Sequence, residues 1–191
     1  MKRKAIVLII PLLIAFVVPF PTGAGERPEK GCEIGIVSGV GTGHSTAGNY
    51  HPILLATRLA WDIRKVLPQL AIWNGNLSFI FEPQVNPAFS PHTDVELGLG
   101  LGLRYIYKWS ERLAPYLLGT FGPHFITLQD EDQKNGFLFS TAFEAGLCFY
   151  LDNSSFFQLG YRFRHLSNGG LWEPNGGLNS HFLTIGYTWL F

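Results

Sequence analysis

From residue 94 to residue 107 the chain reads DVELGLGLGLRYIY, and its apolar and polar positions change places at nearly every step. Val95, Leu97, Leu99, Leu101, Leu103, Tyr105 and Tyr107 form one set; Asp94, Glu96, three glycines, Arg104 and Ile106 form the other. Side chains of an extended strand point alternately to opposite faces, so this period of two predicts a strand with one apolar side. The same parity recurs along the chain. Ile53, Leu55, Leu59, Trp61 and Ile63 alternate with Arg58, Asp62 and Arg64; Leu77, Phe79 and Phe81 face away from Ser78 and Glu82. Phe137, Phe139, Phe143, Leu147 and Phe149 oppose Ser140 and Glu144, and Phe157, Leu159, Tyr161 and Phe163 oppose Gln158, Arg162 and Arg164. A last run sets Leu183, Ile185, Tyr187, Trp189 and Phe191 against Thr184, Gly186 and Thr188. Cys32–Val40 and the less regular Leu113–Pro123 bring the predicted strands to eight.

Composition decides which solvent the apolar face meets. Hydrophobic residues make up 47% of the 191-residue chain and charged residues only 15%, well under the usual quarter of a soluble domain. Phe (16), Tyr (7), Trp (5) and Gly (22) are abundant. The formal net charge is zero, which argues against nucleic acid as a partner, because phosphate binding needs a basic excess. Lys2, Arg3 and Lys4 precede AIVLIIPLLIAFVVPF and then PTGAG. That order predicts a secretory signal peptide over residues 1–24, cut near Ala24–Gly25, with a retained membrane anchor as the alternative. Cys32 lacks the aliphatic residue that a lipoprotein acylation site needs before it. Beyond residue 24 no apolar run is long enough to span a bilayer as a helix. An exported chain this apolar is left with the other permitted spanning structure, a closed barrel. The prediction for residues 25–191 is therefore an all-β, eight-stranded antiparallel transmembrane β-barrel in the bacterial outer membrane, apolar parity toward lipid.

A barrel of eight strands is filled by its own side chains and is no pore. Glu33, Arg58, Asp62, Arg64, Glu96, Arg104, Glu144, Arg162 and Arg164 take the inward parity and are mixed in sign, so they are expected to pair inside. GTGHSTAGNYHP, EPQVNPAFSPHT and TLQDEDQKNG are read as long outer loops, KVLPQ and LDNSS as short periplasmic returns. Ending on Phe191 after alternating aromatics resembles the C-terminal assembly signal of outer-membrane proteins. Cys32 and Cys148 fall on opposite faces of non-neighbouring predicted strands, so both are expected as free thiols.

One feature of the alternation carries chemistry. His165 and Ser167 share the parity of Phe163, Tyr161 and Leu159 and are predicted to point outward. Two positions apart on one face, an imidazole and a hydroxyl can meet, and the imidazole can take the serine proton as the oxygen attacks a carbonyl. His-x-Ser alone is common by chance, and polar side chains are ordinary in the interfacial belt of a barrel. The loop that follows, SNGGLWEPNGGLN, adds glycines for close backbone approach and asparagines able to donate to an oxyanion.

The stretch HLSNGGLWEPNGGLNS, with the strand after it, resembles the signature of the lipid A 3-O-deacylases, the PagL family. ATRLAW, EPQVNP, LGLRYIY and LAPYLLG extend the likeness more weakly over most of the mature chain. The resemblance implies a serine esterase that works from the lipid-facing wall and releases the 3-hydroxyacyl chain ester-linked at position 3 of lipid A. It implies His165 as general base, Ser167 as nucleophile, and Asn168 at the oxyanion hole with help from Asn175 and Gly176. Where the family has a glutamate orienting the histidine, this chain has Asn179, which can accept a hydrogen bond but supplies no charge; Glu173 is the nearest acid and the alternative orienting group. No metal or cofactor is implied. The expected partners are lipopolysaccharide and the surrounding outer-membrane lipids; the sequence sets neither the oligomeric state nor a headgroup-binding residue. The competing readings are a barrel esterase for another lipid ester, such as a phospholipid, and a non-enzymatic structural or adhesive barrel.

Overall fold

A computed structural model of the protein describes residues 31–191 apart from residues 47, 71–73, 91 and 132. The expected signal peptide lies outside the described residues. The strands are β1 (Cys32–Ser45), β2 (Gly48–Tyr50), β3 (Ile53–Asp62), β4 (Gly75–Ala88), β5 (Asp94–Tyr107), β6 (Leu113–Ile126), β7 (Gly136–Tyr150), β8 (Ser155–Ser167) and β9 (Leu178–Leu190). β1 and β3 to β9 pair antiparallel in sequence order, and β9 returns to β1, from Glu33↔Leu190 to Gly43↔Ser180, closing eight strands into a barrel. β2 is a short arm folded back on the end of β1, Gly43↔Tyr50 to Ser45↔Gly48. Closure gives each of the eight barrel strands a neighbour on both sides, which is what a sheet in hydrocarbon requires.

Parity sorts the wall into two faces. Leu117 is 64% exposed while its neighbour Leu118 is 4% exposed. Leu97, Leu103, Phe121, Phe143, Leu183 and Ile185 are likewise exposed on the outside, an apolar band suited to lipid. Inside, charges close on one another. Arg58 lies 2.7 Å from Glu82 and 3.1 Å from Glu144; Arg162 lies 2.8 Å from Glu82 and 2.7 Å from Glu144. Tyr116 donates its hydroxyl to Glu144. Nearer one end Glu96 accepts from Arg164, from Asn86 Nδ2 at 2.9 Å and from the Tyr50 hydroxyl at 2.6 Å, with His124 Nε2 3.1 Å away. Toward the other end Arg104 pairs with Glu33. Glu82, Glu96 and Glu144 thus each have several donors, the condition under which buried charge is tolerated, while Glu33 has Arg104.

This polar column is sandwiched between apolar layers. Ile80, Ile106, Ala114, Leu118, Cys148 and Phe156 pack with Tyr116 toward the end that carries Cys32 and Leu190. Tyr50, Ala88, Ile126, Leu128, Leu138, Leu166 and Leu178 pack at the opposite end.

Four expectations are revised or met. Outer loops prove shorter than predicted, because strands continue into them: β1 runs to Ser45, and β4 runs through Pro83 and Pro87 to Ala88, so EPQVNP is strand. The β3–β4 ladder lapses between Leu59↔Phe81 and Ala56↔Gln84, around Pro83, which has no N–H to give. Beyond the lapse, Asn86 Oδ1 accepts from the Leu55 N–H at 3.3 Å. The return over residues 63–74, built on two 3-10 turns, is no shorter than the connections at the opposite end, so loop length does not separate the two ends as expected. Arg64 is not a strand residue of the lumen: β3 stops at Asp62, whose carboxylate accepts from the Arg64 backbone at 3.0 Å and pairs with its guanidinium at 2.6 Å. Cys32 and Cys148 are both free, one exposed and one buried.

Candidate active site

β8 and β9 are paired so that His165 stands directly across from Asn179, and Leu166 across from Leu178. The two leucines are buried in the apolar layer behind the wall. Parity then turns His165, Ser167 and Asn179 outward: the first two are half-buried and the third is exposed. The inward anchors thus fix the strand ends from which the polar side chains project.

His165 Nδ1 lies 2.7 Å from Asn179 Oδ1. With that oxygen accepting, the hydrogen sits on Nδ1 and Nε2 keeps a lone pair. Ser167 shares the face one alternate position along; among the described residues its hydroxyl has no hydrogen-bond partner, the imidazole included. Glu173, the alternative orienting acid, is exposed and accepts from the Asn175 N–H at 3.2 Å, inside its own turn. The residue beside the imidazole is therefore Asn179.

Asn168, fully buried, organises the β8–β9 loop. Its Oδ1 accepts from the N–H groups of Gly170 at 2.9 Å and Leu171 at 3.1 Å, and its Nδ2 donates to Trp172 O at 2.7 Å. The Asn168 backbone N–H donates to Asn175 Oδ1 at 2.8 Å. Gly176 is exposed in the same loop. Of the predicted oxyanion residues, Asn168 and Asn175 are thus joined in the loop that follows Ser167, with one N–H and one amide hydrogen committed to holding it; an amide has a second hydrogen to give. The loop also leans on the β6–β7 connection through the Gln133↔Asn175 bridge and a Lys134 N–H donated to Pro174 O at 3.4 Å.

Gly177 was not singled out from the sequence. Its φ of +74° is in the left-handed region, and a Cβ there would stand 2.8 Å from His165 Cε1. Only a glycine lets the loop backbone lie against the edge of the imidazole. Tyr161 and His181 were also missed as a pair: outward on β8 and β9, the Tyr161 hydroxyl meets His181 Nδ1 at 2.5 Å. Among the described residues no cluster of three or more His, Cys, Asp or Glu is arranged to hold a metal.

Known structures share this barrel. Neisserial surface protein A is similar with a TM-score of 0.65 at 12% identity, covering 84% of this chain and 97% of that one. The outer-membrane enzyme PagL gives 0.58 at 18% identity, covering 81% and 97%. The N-terminal β-barrel domain of OprF from Pseudomonas aeruginosa gives 0.52 at 12%, covering 83% and 97%. Likeness at such identities speaks to the fold alone. No curated protein matches the chain significantly. A family model does, that of lipid A 3-O-deacylase (PagL), across residues 42–188.

Proposed function

The chain belongs to the lipid A 3-O-deacylase family, a family of lipid A deacylases in the outer membrane, and from that premise we propose that it hydrolyses the ester at position 3 of lipid A with His165 and Ser167. The observation that carries the proposal is the 2.7 Å contact between His165 Nδ1 and Asn179 Oδ1, on the outward face that also bears Ser167. A base held in the right tautomer next to a hydroxyl is the core of a serine esterase.

The chemistry follows from those positions. His165 Nε2 takes the Ser167 proton as Oγ forms a bond to the ester carbonyl carbon. The oxyanion that develops lies beside the loop, where the second Asn168 amide hydrogen and the Gly176 N–H are the donors assigned to it, with Asn175 fixing the loop. Collapse breaks the bond to the sugar oxygen, which leaves with the proton from His165. Water then attacks the acyl-serine with His165 again as base, releasing the 3-hydroxy fatty acid and restoring Ser167. Lipid A is anchored in the leaflet by its chains, so a site on the outer wall meets the ester by lateral diffusion without extracting the lipid.

The test is mass spectrometry of defined lipid A incubated with purified protein in detergent micelles. The expected product lacks one 3-hydroxyacyl chain, from position 3. Hydrolysis of phospholipid in its place would favour the other-ester reading, and an inert protein would favour a structural barrel.

Asn179 gives a second prediction. Its amide oxygen fixes the tautomer but offers no charge to the imidazolium that forms during attack. Asn179→Glu is expected to match wild-type kcat or exceed it by up to about tenfold, since a carboxylate stabilises that cation. A clear fall in kcat would show that residue 179 is not the orienting position.

A further inference from the structure

The outward row that holds the imidazole has a further polar member. His165 is flanked by Asn179 of β9 on one side and by Thr141 of β7 on the other. Ser140 and Ala142 are buried inside the barrel, while Thr141 between them is half-buried on the outer wall. Side chains directly opposite on paired strands have Cβ atoms about 4.5–5.5 Å apart, so the hydroxyl and the imidazole are close neighbours. Elsewhere the hydroxyl is ringed by phenylalanine. Phe121 is its partner on β6, Phe139 and Phe143 are the outward positions before and after it on β7, and the Phe121 and Phe139 rings stack at 5.6 Å. Among the described residues the Thr141 hydroxyl makes no hydrogen bond. Such a group on a lipid-facing wall is costly unless something polar meets it.

The two nitrogens of an imidazole point in nearly opposite directions. Asn179 holds Nδ1 on the β9 side, so Nε2 is turned toward the β7 side, where Thr141 stands. Two hydrogen bonds through one water span about 5.6 Å, enough to join Nε2 to the Thr141 oxygen. That reach bears on the second half of the reaction. Once the sugar has left, the acyl-serine is cleaved only by a water, and the wall around it is apolar and faces lipid rather than bulk solvent.

We propose that the Thr141 hydroxyl, together with His165 Nε2, holds the water that hydrolyses the acyl-serine, an inference that deepens the esterase reading above and rests on it. The water oxygen bonds to the acyl carbon while one of its hydrogens passes to Nε2 and the other is donated to Thr141 Oγ1. The bond from that carbon to Ser167 Oγ then breaks, Oγ takes the proton back from His165, and the fatty acid leaves. The water's place is set by Nε2 and the Thr141 oxygen, whichever way the acyl chain runs.

The experiment uses purified full-length protein in detergent micelles with defined lipid A, and reads both steady-state rates and the mass of the acid-quenched protein. Thr141→Val keeps the shape and removes the hydroxyl, and valine suits a lipid-facing strand, so the variant is expected to fold. Its kcat is expected to fall about tenfold, the cost of one lost hydrogen bond to the reacting water. KM is expected to fall with it, leaving kcat/KM near wild type, because acylation is untouched. The quenched variant is expected to carry the mass of one 3-hydroxyacyl group, which Ser167→Ala does not acquire. Thr141→Ser, which restores the hydroxyl, is expected to return kcat toward wild type and to clear the adduct. Thr141→Ala, lacking the hydroxyl without a methyl in its place, is expected to behave as valine does. Unchanged kinetics in the valine and alanine variants overturn the proposal. So does a fall in kcat/KM equal to that in kcat with no adduct, which is what a merely structural role predicts, or a serine variant no better than valine. In each of those cases wild type still hydrolyses the ester and the esterase reading stands. If wild type leaves lipid A intact, that reading falls and takes this inference with it.

Discussion

Replacing Ser167 by alanine is expected to leave the barrel folded and to slow ester hydrolysis by more than about a thousandfold. The side chain is half-buried on the outward face and makes no hydrogen bond with a described residue, so its loss disturbs no packing, while the reaction loses its nucleophile. His165→Ala is expected to cost about as much, since an unassisted hydroxyl is a weak nucleophile at neutral pH. The informative variant is the double replacement. Groups that act as one unit are strongly non-additive, so the pair together is expected to be no slower than the slower single variant. Purified proteins, release of free hydroxy fatty acid as the readout, and melting of each variant as the folding control make the measurement. Losses that multiply would show that the serine and histidine work independently, which the proposed mechanism forbids.

Glu144→Ala is expected to lower the unfolding free energy by roughly 3–5 kcal/mol, the usual cost of removing one partner from a buried ion pair. Glu144 and Glu82 are each shared by Arg58 and Arg162, four side chains in a closed ring, all essentially buried. Without Glu144 two guanidinium groups share one carboxylate, and the Tyr116 hydroxyl loses its acceptor. Glu144→Gln keeps the shape and one acceptor oxygen but not the charge, and is expected to fall between wild type and alanine. The midpoint of guanidinium unfolding in detergent checks both. A shift below about 1 kcal/mol would mean that the ring exchanges its partners for solvent at little cost.

Much of this molecule can be read from alternation, and the reason is the solvent. With lipid outside and charge inside, a strand such as β5 shows its two faces without ambiguity. The reading weakens where both faces are apolar. Leu117 and Leu118 are consecutive, as are Phe156 and Phe157, with one of each pair outside and the other in an internal apolar layer. Parity cannot tell such neighbours apart, so β6 looked irregular and the two layers closing the polar column went unseen. The prolines of β4 suggested a loop for a similar reason: a missing donor reads as a break in the sequence, whereas here a side-chain amide, Asn86, supplies part of the bonding beside it. At the site, parity predicted that His165 and Ser167 face outward, as they do, while Asn179 came from the family resemblance, with Glu173 as the alternative, and its contact with His165 depends on strand register. The contribution of Gly177 could not be read, because it depends on where a loop crosses an imidazole. Tyr161 and His181, twenty positions apart, meet only because β8 and β9 lie side by side.

The column of paired charges, capped by apolar layers at either end, has a bearing on the envelope as well as on stability. Ions and small solutes that enter either mouth of the barrel meet packed side chains, as expected of a cylinder of eight strands.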